Sequence, residues 1–436
     1  LAEAALLAGI PNNPSIYDPY NTQYNDKLIE RQHKVLNDMV SCGFITQKEA
    51  DTAKKVPILD QIKPEQDQYK DMKAPHFVQE VKKQLEAEFG VKVIRAGGLN
   101  IKTTLDLRAQ QIAEGSVQAG ATLLPNTGAD NIALTSVDVS TGQVIAQVGS
   151  VDYNKEGYGQ TNAAVSQLDP GSSIKPIVDY SALFNQQQGT IYTPGTILKD
   201  ENIDKLYCGT TSGGCKLRNA SGKFYGNVSI RQSLGNSFNI AAVKSLSIVG
   251  VKEGFNTARA LGDLSYCANN EEAGLSSAIG GGCSVRQDEH TNAFASLARG
   301  GAYKPLSYVI EVKNSSNEKI KEWKDTSNQA IDPQAAYMIT DILSDPSARL
   351  TTFGSQSYSF GFTVPGVWTA SKTGTTDNGK NAAKDSWMMS YSPVVATGVW
   401  SGMHDGSAIS SDNMVVRRVV GNYMEDIHKN VYAADG

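Results

Sequence analysis

The stretch Asp169-Pro170-Gly171-Ser172-Ser173-Ile174-Lys175-Pro176 places a serine three residues before a lysine, where a polar turn passes into an apolar run. Ile174, Ile177, Val178, Tyr180, Ala182, Leu183 and Phe184 have the spacing of a helix buried on most sides. The pattern predicts Ser172 at the helix N-terminus and Lys175 one turn later, on the same face. A serine hydroxyl is a poor nucleophile until a neighbouring base takes its proton. A lysine can be that base once burial and nearby cations lower its pKa. The helix N-terminus adds N–H groups and positive potential for a developing oxyanion. The chemistry within reach of these residues is acyl transfer through Ser172, with Lys175 as base.

A second Ser-x-x-Lys, Ser316-Asn317-Glu318-Lys319, lies in a polar, charged segment between two strand-like runs. It reads as a hairpin turn with no apolar helix behind it, so only the first copy is a candidate. Lys372-Thr373-Gly374-Thr375-Thr376 has a cation and hydroxyls around a glycine. On a strand, that glycine would let another backbone approach, and the hydroxyls and ammonium suit a carboxylate. An exposed edge there can pair with an extended peptide. Taken alone it is equally a turn on a surface strand. Ser237-Phe238-Asn239 interrupts a helical region; its polar pair could face a cleft or simply cap a helix. Ser411-Asp412-Asn413 fits a Ser-x-Asn pattern as well, but follows Lys372-Thr373-Gly374 at the expected start of the last helix.

The elements that must carry these residues can be read from periodicity. Residues 1–16 predict a short helix stopped by Gly9 and Pro11, Asp26 to Val40 a helix closed by Gly43, and Thr46 to Lys55 a helix opened by a Thr46/Glu49 capping box. Residues 56–75 read as a charged linker or exposed loop. His76 to Phe89 reads as an amphipathic helix, Leu99 to Thr104 as a strand and Leu107 to Ala119 as a helix. Ile132 to Val139 and Gln143 to Val148 read as strands joined at Thr141-Gly142. Val309 to Trp323 reads as a hairpin, Pro333 to Leu343 as a helix, and Val367 to Thr373, Ser386 to Tyr391 and Val395 to Ser401 as successive strands. Met414 to Val431 closes the chain as a helix. A sheet flanked by helices, with strands from both ends of the domain, is an α+β arrangement.

The 436 residues allow two or three domains. A net charge of −5 gives no basic footprint for nucleic acid, and no apolar run reaches the length of a membrane span. The sequence starts at Leu1, and we read it as a fragment whose targeting segment lies upstream. Neither the five histidines nor the five cysteines are spaced for a zinc site. Cys208 with Cys215, and Cys267 with Cys283, could be disulfides in an oxidising compartment or free thiols; Cys42 is left over in either case.

The order Ser-x-x-Lys, Ser-x-Asn, Lys-Thr-Gly is the signature of penicillin-binding proteins and serine β-lactamases. The sequence resembles the transpeptidase module of class A (bifunctional) penicillin-binding proteins on the Ser172 stretch, on Gly226 to Ala242, on Phe294 to Gly301, and on Ala370 to Thr376 followed by Asp385-Ser386-Trp387 and Thr397-Gly398-Val399-Trp400. Leu1 to Pro14 looks like the last motif of a glycosyltransferase module, too short to hold that activity. The resemblance implies a glycosyltransferase remnant at 1–20, a linker region at 21–120 and, at 121–436, a transpeptidase domain with an antiparallel sheet, flanking helices and an all-helical subdomain. It implies Ser172, Lys175, Ser237 and Lys372 as catalytic residues and Asn239, Thr373, Gly374 and Thr375 as substrate-binding ones, without metal or organic cofactor. The implied partners are peptidoglycan stem peptides, as D-Ala-D-Ala donor and amine acceptor, β-lactam antibiotics, and cell-wall assembly proteins. The implied place is the extracytoplasmic face of a bacterial membrane, with the anchor outside this sequence. A carboxypeptidase or β-lactamase-like hydrolase, and a β-lactam sensor or wall scaffold without turnover, carry the same motifs and stay open.

Overall fold

The structure, a computed structural model, describes residues 1–63, 72–186, 189–209, 215–270, 273–377, 382–410 and 413–433. The chain divides into two compact units, Leu1–Lys73 and Ala74–Gly436, so the stretch 21–120 expected as a linker is shared between them. Of the expected 56–75 loop, residues 64–71 lie outside the described residues.

The first unit packs helices Ala2–Gly9, Asn25–Ser41 and Gln47–Lys54 around Leu6, Leu28, Leu36, Ala50 and Ile58. The Thr46/Glu49 capping box forms as the sequence predicts, each side chain meeting the other residue's backbone N–H.

The second unit is built on a five-stranded antiparallel sheet. Its strands are β1 (Asn131–Asp138), β2 (Val144–Val148), β3 (Ala370–Asp377), β4 (Ala383–Tyr391) and β5 (Val395–Gly402), in the order β3-β4-β5-β1-β2. The first and last thirds of the unit therefore meet in the middle, where Val395 pairs with Asp138 and Gly402 with Asn131. Both faces are covered. On one face, helix α1 (Leu107–Ala121) and the last helix (Met414–Ile427) pack on Ile132, Leu134, Met388 and Val399. On the other, Ala133, Val137, Trp387, Met389 and Tyr391 join a larger core with Ile174, Ile177, Leu234, Ile240 and Phe294. Consecutive residues such as Trp387 and Met388 go to opposite cores, as the two-residue period of a strand requires. β3 is an edge strand, and its free edge runs along the Gly171–Ile174 turn.

A separate three-stranded sheet joins Asn100–Thr103, Val309–Lys313 and Lys319–Glu322. The second Ser-x-x-Lys lies in its hairpin. There Asn314 Oδ1 accepts the N–H groups of Ser316 and Glu318, and Lys319 pairs with Glu311 and Glu322. That lysine is exposed and fully paired, which leaves the copy its turn role. Of the Ser411-Asp412-Asn413 match, residues 411 and 412 lie outside the described residues.

Where α1 crosses the last helix, Gly120 lets the backbones close: a Cβ there would fall on Val419 Cγ2 and 3.3 Å from Ile132 Cδ1. Gly120→Ala should therefore lower the unfolding free energy by about 1–3 kcal/mol in urea denaturation. An unchanged midpoint would show that the crossing has slack.

Candidate active site

Ser172 sits on a 3-10 turn, Gly171–Ile174, followed by a π-helical turn, Pro176–Tyr180, and a short α-helix, Ser181–Phe184. The sequence pattern predicted one regular helix. Pro176 explains the difference. It has no N–H to give to Ser172 O, so the first bond to that carbonyl comes from the Lys175 N–H, one residue tighter than in an α-helix. In a 3-10 turn residues three apart eclipse, so Ser172 and Lys175 share a face as predicted, by a different geometry.

Lys175 is completely buried. Its ammonium donates to Asn239 Oδ1 at 2.6 Å, Ser237 O at 2.7 Å and Ser237 Oγ at 3.4 Å. The half-buried Ser172 hydroxyl makes no hydrogen bond to another described side chain. Burial pushes the Lys175 amine down from its usual range to about 7, against the attraction of Asp179. Burial also holds the Asp179 carboxyl well above the ordinary range, with Lys175 opposing. Neither carboxyl oxygen has a hydrogen-bond partner. Burial thus disfavours charge on both groups, and for the amine it outweighs the attraction of Asp179.

Ser237 lies between helix α2 (Ile230–Gly235) and helix α3 (Asn239–Val249), in the left-handed region at φ 60°. For a residue with a Cβ this conformation costs about 1–2 kcal/mol, and such outliers gather at functional sites. The neighbouring bonds hold it: Ser237 N–H to Leu234 O, Phe238 N–H to Ser233 O, and Phe238 stacked on Tyr225 at 4.5 Å. Asn239 opens α3. Its N–H and Nδ2 donate to Asn219 Oδ1 and Arg218 O, each at 2.8 Å, which aims Oδ1 at Lys175. The polar pair of the motif therefore meets Lys175 rather than only capping a helix.

Lys372 comes from β3. Its ammonium donates to Ser237 Oγ at 2.9 Å and Thr373 O at 2.7 Å. Burial, then the positive charges of Lys175 and Arg349, hold it well below the usual lysine range. Two lysines from distant segments thus meet on one hydroxyl. Gly374 and Gly171 make the approach possible. A Cβ on Gly374 would lie 2.6 Å from Pro170 O, and one on Gly171 would fall on the Thr375 carbonyl. Gly171 is also at φ 52°. The hydroxyls of Thr373 and Thr375 make no hydrogen bond among the described residues, whereas Thr376 is tied to Asp385 at 2.8 Å. Ser172, Lys175, Ser237, Asn239, Lys372, Thr373, Gly374 and Thr375 are thereby brought to one place.

Sequence reasoning missed several supports. Gly280, at φ 82°, approaches Gly171 so closely that a Cβ would lie 2.5 Å from its nitrogen; the run Gly280-Gly281-Gly282 was the available signal. Trp387 Nε1 donates to Asp169 O at 2.9 Å, and Ser284 Oγ to Asp169 Oδ1 at 3.0 Å. The cysteines, left open by the sequence, form Cys208–Cys215 and Cys267–Cys283 disulfides, with Cα separations of 5.9 and 4.7 Å; Cys42 is free and exposed. Among the described residues no group of three or more His, Cys, Asp or Glu side chains could hold a metal ion, and no helix is long and apolar enough to cross a membrane.

A serine on a tight turn, a buried lysine behind it, and a second lysine on an adjacent edge strand define a penicillin-binding type of site. The profile of the penicillin binding protein transpeptidase domain matches residues 132–425, and the chain belongs to that family. Penicillin-binding protein 2D of Bacillus subtilis (strain 168) is 32% identical over 439 residues, covering 98% of this chain and 59% of that protein. Penicillin-binding protein 1A/1B of the same organism is 30% identical over 443 residues, covering 98% and 46%. The chain thus spans about half the length of these curated relatives. Among solved structures, the penicillin-binding protein PonA1 of Mycobacterium tuberculosis superposes with a TM-score of 0.67 at 23% identity, over 82% of this chain and 92% of that one. Penicillin-binding protein 1A of Haemophilus influenzae gives 0.67 at 18% identity, over 99% and 80%. The resemblance to class A penicillin-binding proteins and the expected fold are both borne out.

The base form of Lys175 grows as pH rises through about 7. Acylation of the protein by a penicillin should rise over the same interval and level off above it, in stopped-flow or gel-labelling rates from pH 5.5 to 9. A rate that is flat across that range would remove Lys175 as the titrating base. Gly374→Ala should separate β3 from the Pro170 carbonyl and slow acylation by about 100-fold, whereas a near-normal rate would mean that the contact has room.

Proposed function

We propose that the chain carries a serine D,D-transpeptidase that cross-links peptidoglycan stem peptides through an acyl-enzyme on Ser172. The observation that carries this reading is the meeting of Lys175 and Lys372 on Ser237 Oγ, with the Ser172 turn packed on the free edge of β3. Neutral Lys175 takes the proton of Ser172 Oγ as that oxygen attacks the penultimate D-Ala carbonyl of a D-Ala-D-Ala donor. The backbone N–H groups of Ser172 and Thr375 receive the oxyanion, a contact worth about 3 kcal/mol per donor. Ser237 and Lys372 relay a proton to the leaving D-Ala nitrogen as the C–N bond breaks. An amine from a second stem peptide then attacks the ester, forms the cross-link and restores the Ser172 hydroxyl.

Thr373 and Thr375, whose hydroxyls make no hydrogen bond among the described residues, bind the terminal carboxylate, and the peptide lies along β3 as an added strand. Asn239 keeps one Nδ2 hydrogen for the substrate amide. β-Lactams enter as donor mimics and stay on Ser172; the PonA1 protein has been solved in complex with penicillin V. No cofactor enters any step. The two disulfides favour an oxidising, extracytoplasmic setting at the bacterial membrane. Residues 1–20 are the end of a glycosyltransferase module, and cell-wall assembly proteins are further partners.

A fluorescent penicillin should label the protein and Ser172→Ala should abolish the label; labelling that survives the substitution would refute the assignment. With stem peptide and an acceptor amine, D-Ala release should accompany a peptide dimer. Release with water alone would make the protein a carboxypeptidase, and no release a sensor.

A further inference from the structure

Behind the Ser172 turn lies a second serine that the proposed mechanism leaves unused. Ser173 is fully buried, and so are His290 and Asp263. Ser173 Oγ donates to Pro170 O at 2.7 Å and lies 3.0 Å from His290 Nε2; His290 Nδ1 lies 2.7 Å from Asp263 Oδ2. The chain of contacts joins three parts of the fold: the Ser172 turn, the buried helix Gln287–Ala298, and the loop after the helix Val251–Leu261. The imidazole is wedged edge-on against Phe294 at 5.1 Å and Trp387 at 6.0 Å. Trp387 in turn binds Asp169 O, one residue before the turn's carbonyl.

The hydrogens can be counted. Ser173 has one hydroxyl hydrogen, and it goes to Pro170 O. Its oxygen is then an acceptor, so Nε2 carries the hydrogen of the 3.0 Å contact. A further proton lies between Nδ1 and Asp263 Oδ2, because two bare acceptors would repel at 2.7 Å. Each contact thus carries one hydrogen, in a buried network in which no member can be dropped without orphaning another. Its end point is the Pro170 carbonyl, which also accepts the Ser173 N–H at 3.2 Å and lies 2.6 Å from where a Gly374 Cβ would be. This carbonyl is therefore the pivot between the nucleophile turn and the edge strand.

We propose that Asp263, His290 and Ser173 are positioning residues for acyl transfer: through the Pro170 carbonyl they fix the turn so that the Ser172 hydroxyl faces the same point as the groups of β3. The proposal rests on Ser172 being the acylated residue. None of the three touches a reacting atom. Ser172 is half-buried and its hydroxyl makes no hydrogen bond among the described residues, so its aim is set by the backbone that this network holds.

The test uses the whole chain and a penicillin, with the maximal acylation rate and the dissociation constant of the pre-acylation complex measured separately. His290→Phe keeps the ring packing and removes both hydrogen bonds; Ser173→Ala removes only one hydroxyl. Each should lower the maximal rate by about 10- to 100-fold and leave the dissociation constant within about twofold, because the binding groups of β3 are untouched. The double variant should be no slower than the slower single one, since either change breaks the same chain. Asp263→Asn, which keeps an acceptor for Nδ1–H, should retain more activity than Asp263→Ala. Folding is checked by thermal denaturation; if His290→Phe does not fold, Ser173→Ala and the Asp263 pair decide. Unchanged rates in folded Ser173→Ala, or a lower rate accompanied by an equally raised dissociation constant, would overturn the positioning role. Wild-type labelling that persists in Ser172→Ala would instead refute the underlying assignment.

Discussion

Two lysine side chains buried on a single serine hydroxyl are the constraint that the rest of the second unit serves. Their nitrogens lie 3.4 and 2.9 Å from Ser237 Oγ, and the remaining acceptors are neutral: two backbone carbonyls and an amide oxygen. Moving an unpaired ammonium out of water costs several kcal/mol, and two like charges on one hydroxyl add repulsion. Burial therefore lowers the proton affinity of both amines. Neutral carbonyls hold an amine in place without pinning its proton, as a carboxylate would. The nearest carboxyl, Asp179, is itself buried and driven towards its neutral form. A pocket that disfavours charge on both lysines is suited to moving a proton between them.

That pocket exists only while three segments stay in register, and the contacts that hold them are mostly backbone. Gly171, Gly280 and Gly374 bring three main chains closer than any side chain would permit. Contacts of this kind have little give, because neither partner has a rotamer to change. They are backed by a sheet covered on both faces, in which every residue of Val395–Gly402 is buried. The site therefore stands on elements whose own packing fixes them, the condition for holding reacting groups within fractions of an ångström. Ser237 stays in an unfavourable backbone conformation because the helices on either side and the Tyr225–Phe238 stack leave it no alternative.

Much of this could be read from residue types alone. The three motifs were visible because acyl transfer needs a hydroxyl, a base and a carboxylate-binding edge; chain order discarded the Ser411 decoy, and the polar turn around Ser316 discarded the other. Strands of β1 to β5 showed in their apolar runs, and Thr46/Glu49 announced its capping box. The irregular turn after Ser172 was hidden by a periodicity argument that assumes a regular helix, although Pro176 was the clue. Asn239 was legible as a site residue, but not its holders Arg218 and Asn219, twenty residues earlier and joined to it only by the fold. The helix Gln287–Ala298 escaped altogether. Gln287, Asp288, His290, Thr291 and Asn292 are polar yet buried; all but Thr291, which bonds Gln287 O within the helix, meet partners outside it, so the apolar rhythm that marks a core helix is absent.

The disulfides fall where this dependence is greatest. Cys215 lies two residues before Leu217, Arg218 and Asn219, the segment whose carbonyl and amide hold Asn239. Cys283 immediately precedes Ser284 and Val285, which bind Asp169 and pair with Leu168 at the entrance to the nucleophile turn. These two segments lie outside the five-stranded sheet; one is a loop and the other a two-residue strand, with little regular structure to fix them. A cross-link closing a loop of about 15 residues is worth about 3 kcal/mol, by removing freedom from the unfolded chain. Here it also confines an irregular segment on which a site residue depends. The sheet holds Lys372 by its own hydrogen bonds; the support of Asn239 has no ladder and that of the Ser172 turn only a two-residue one, and covalent bonds reinforce both.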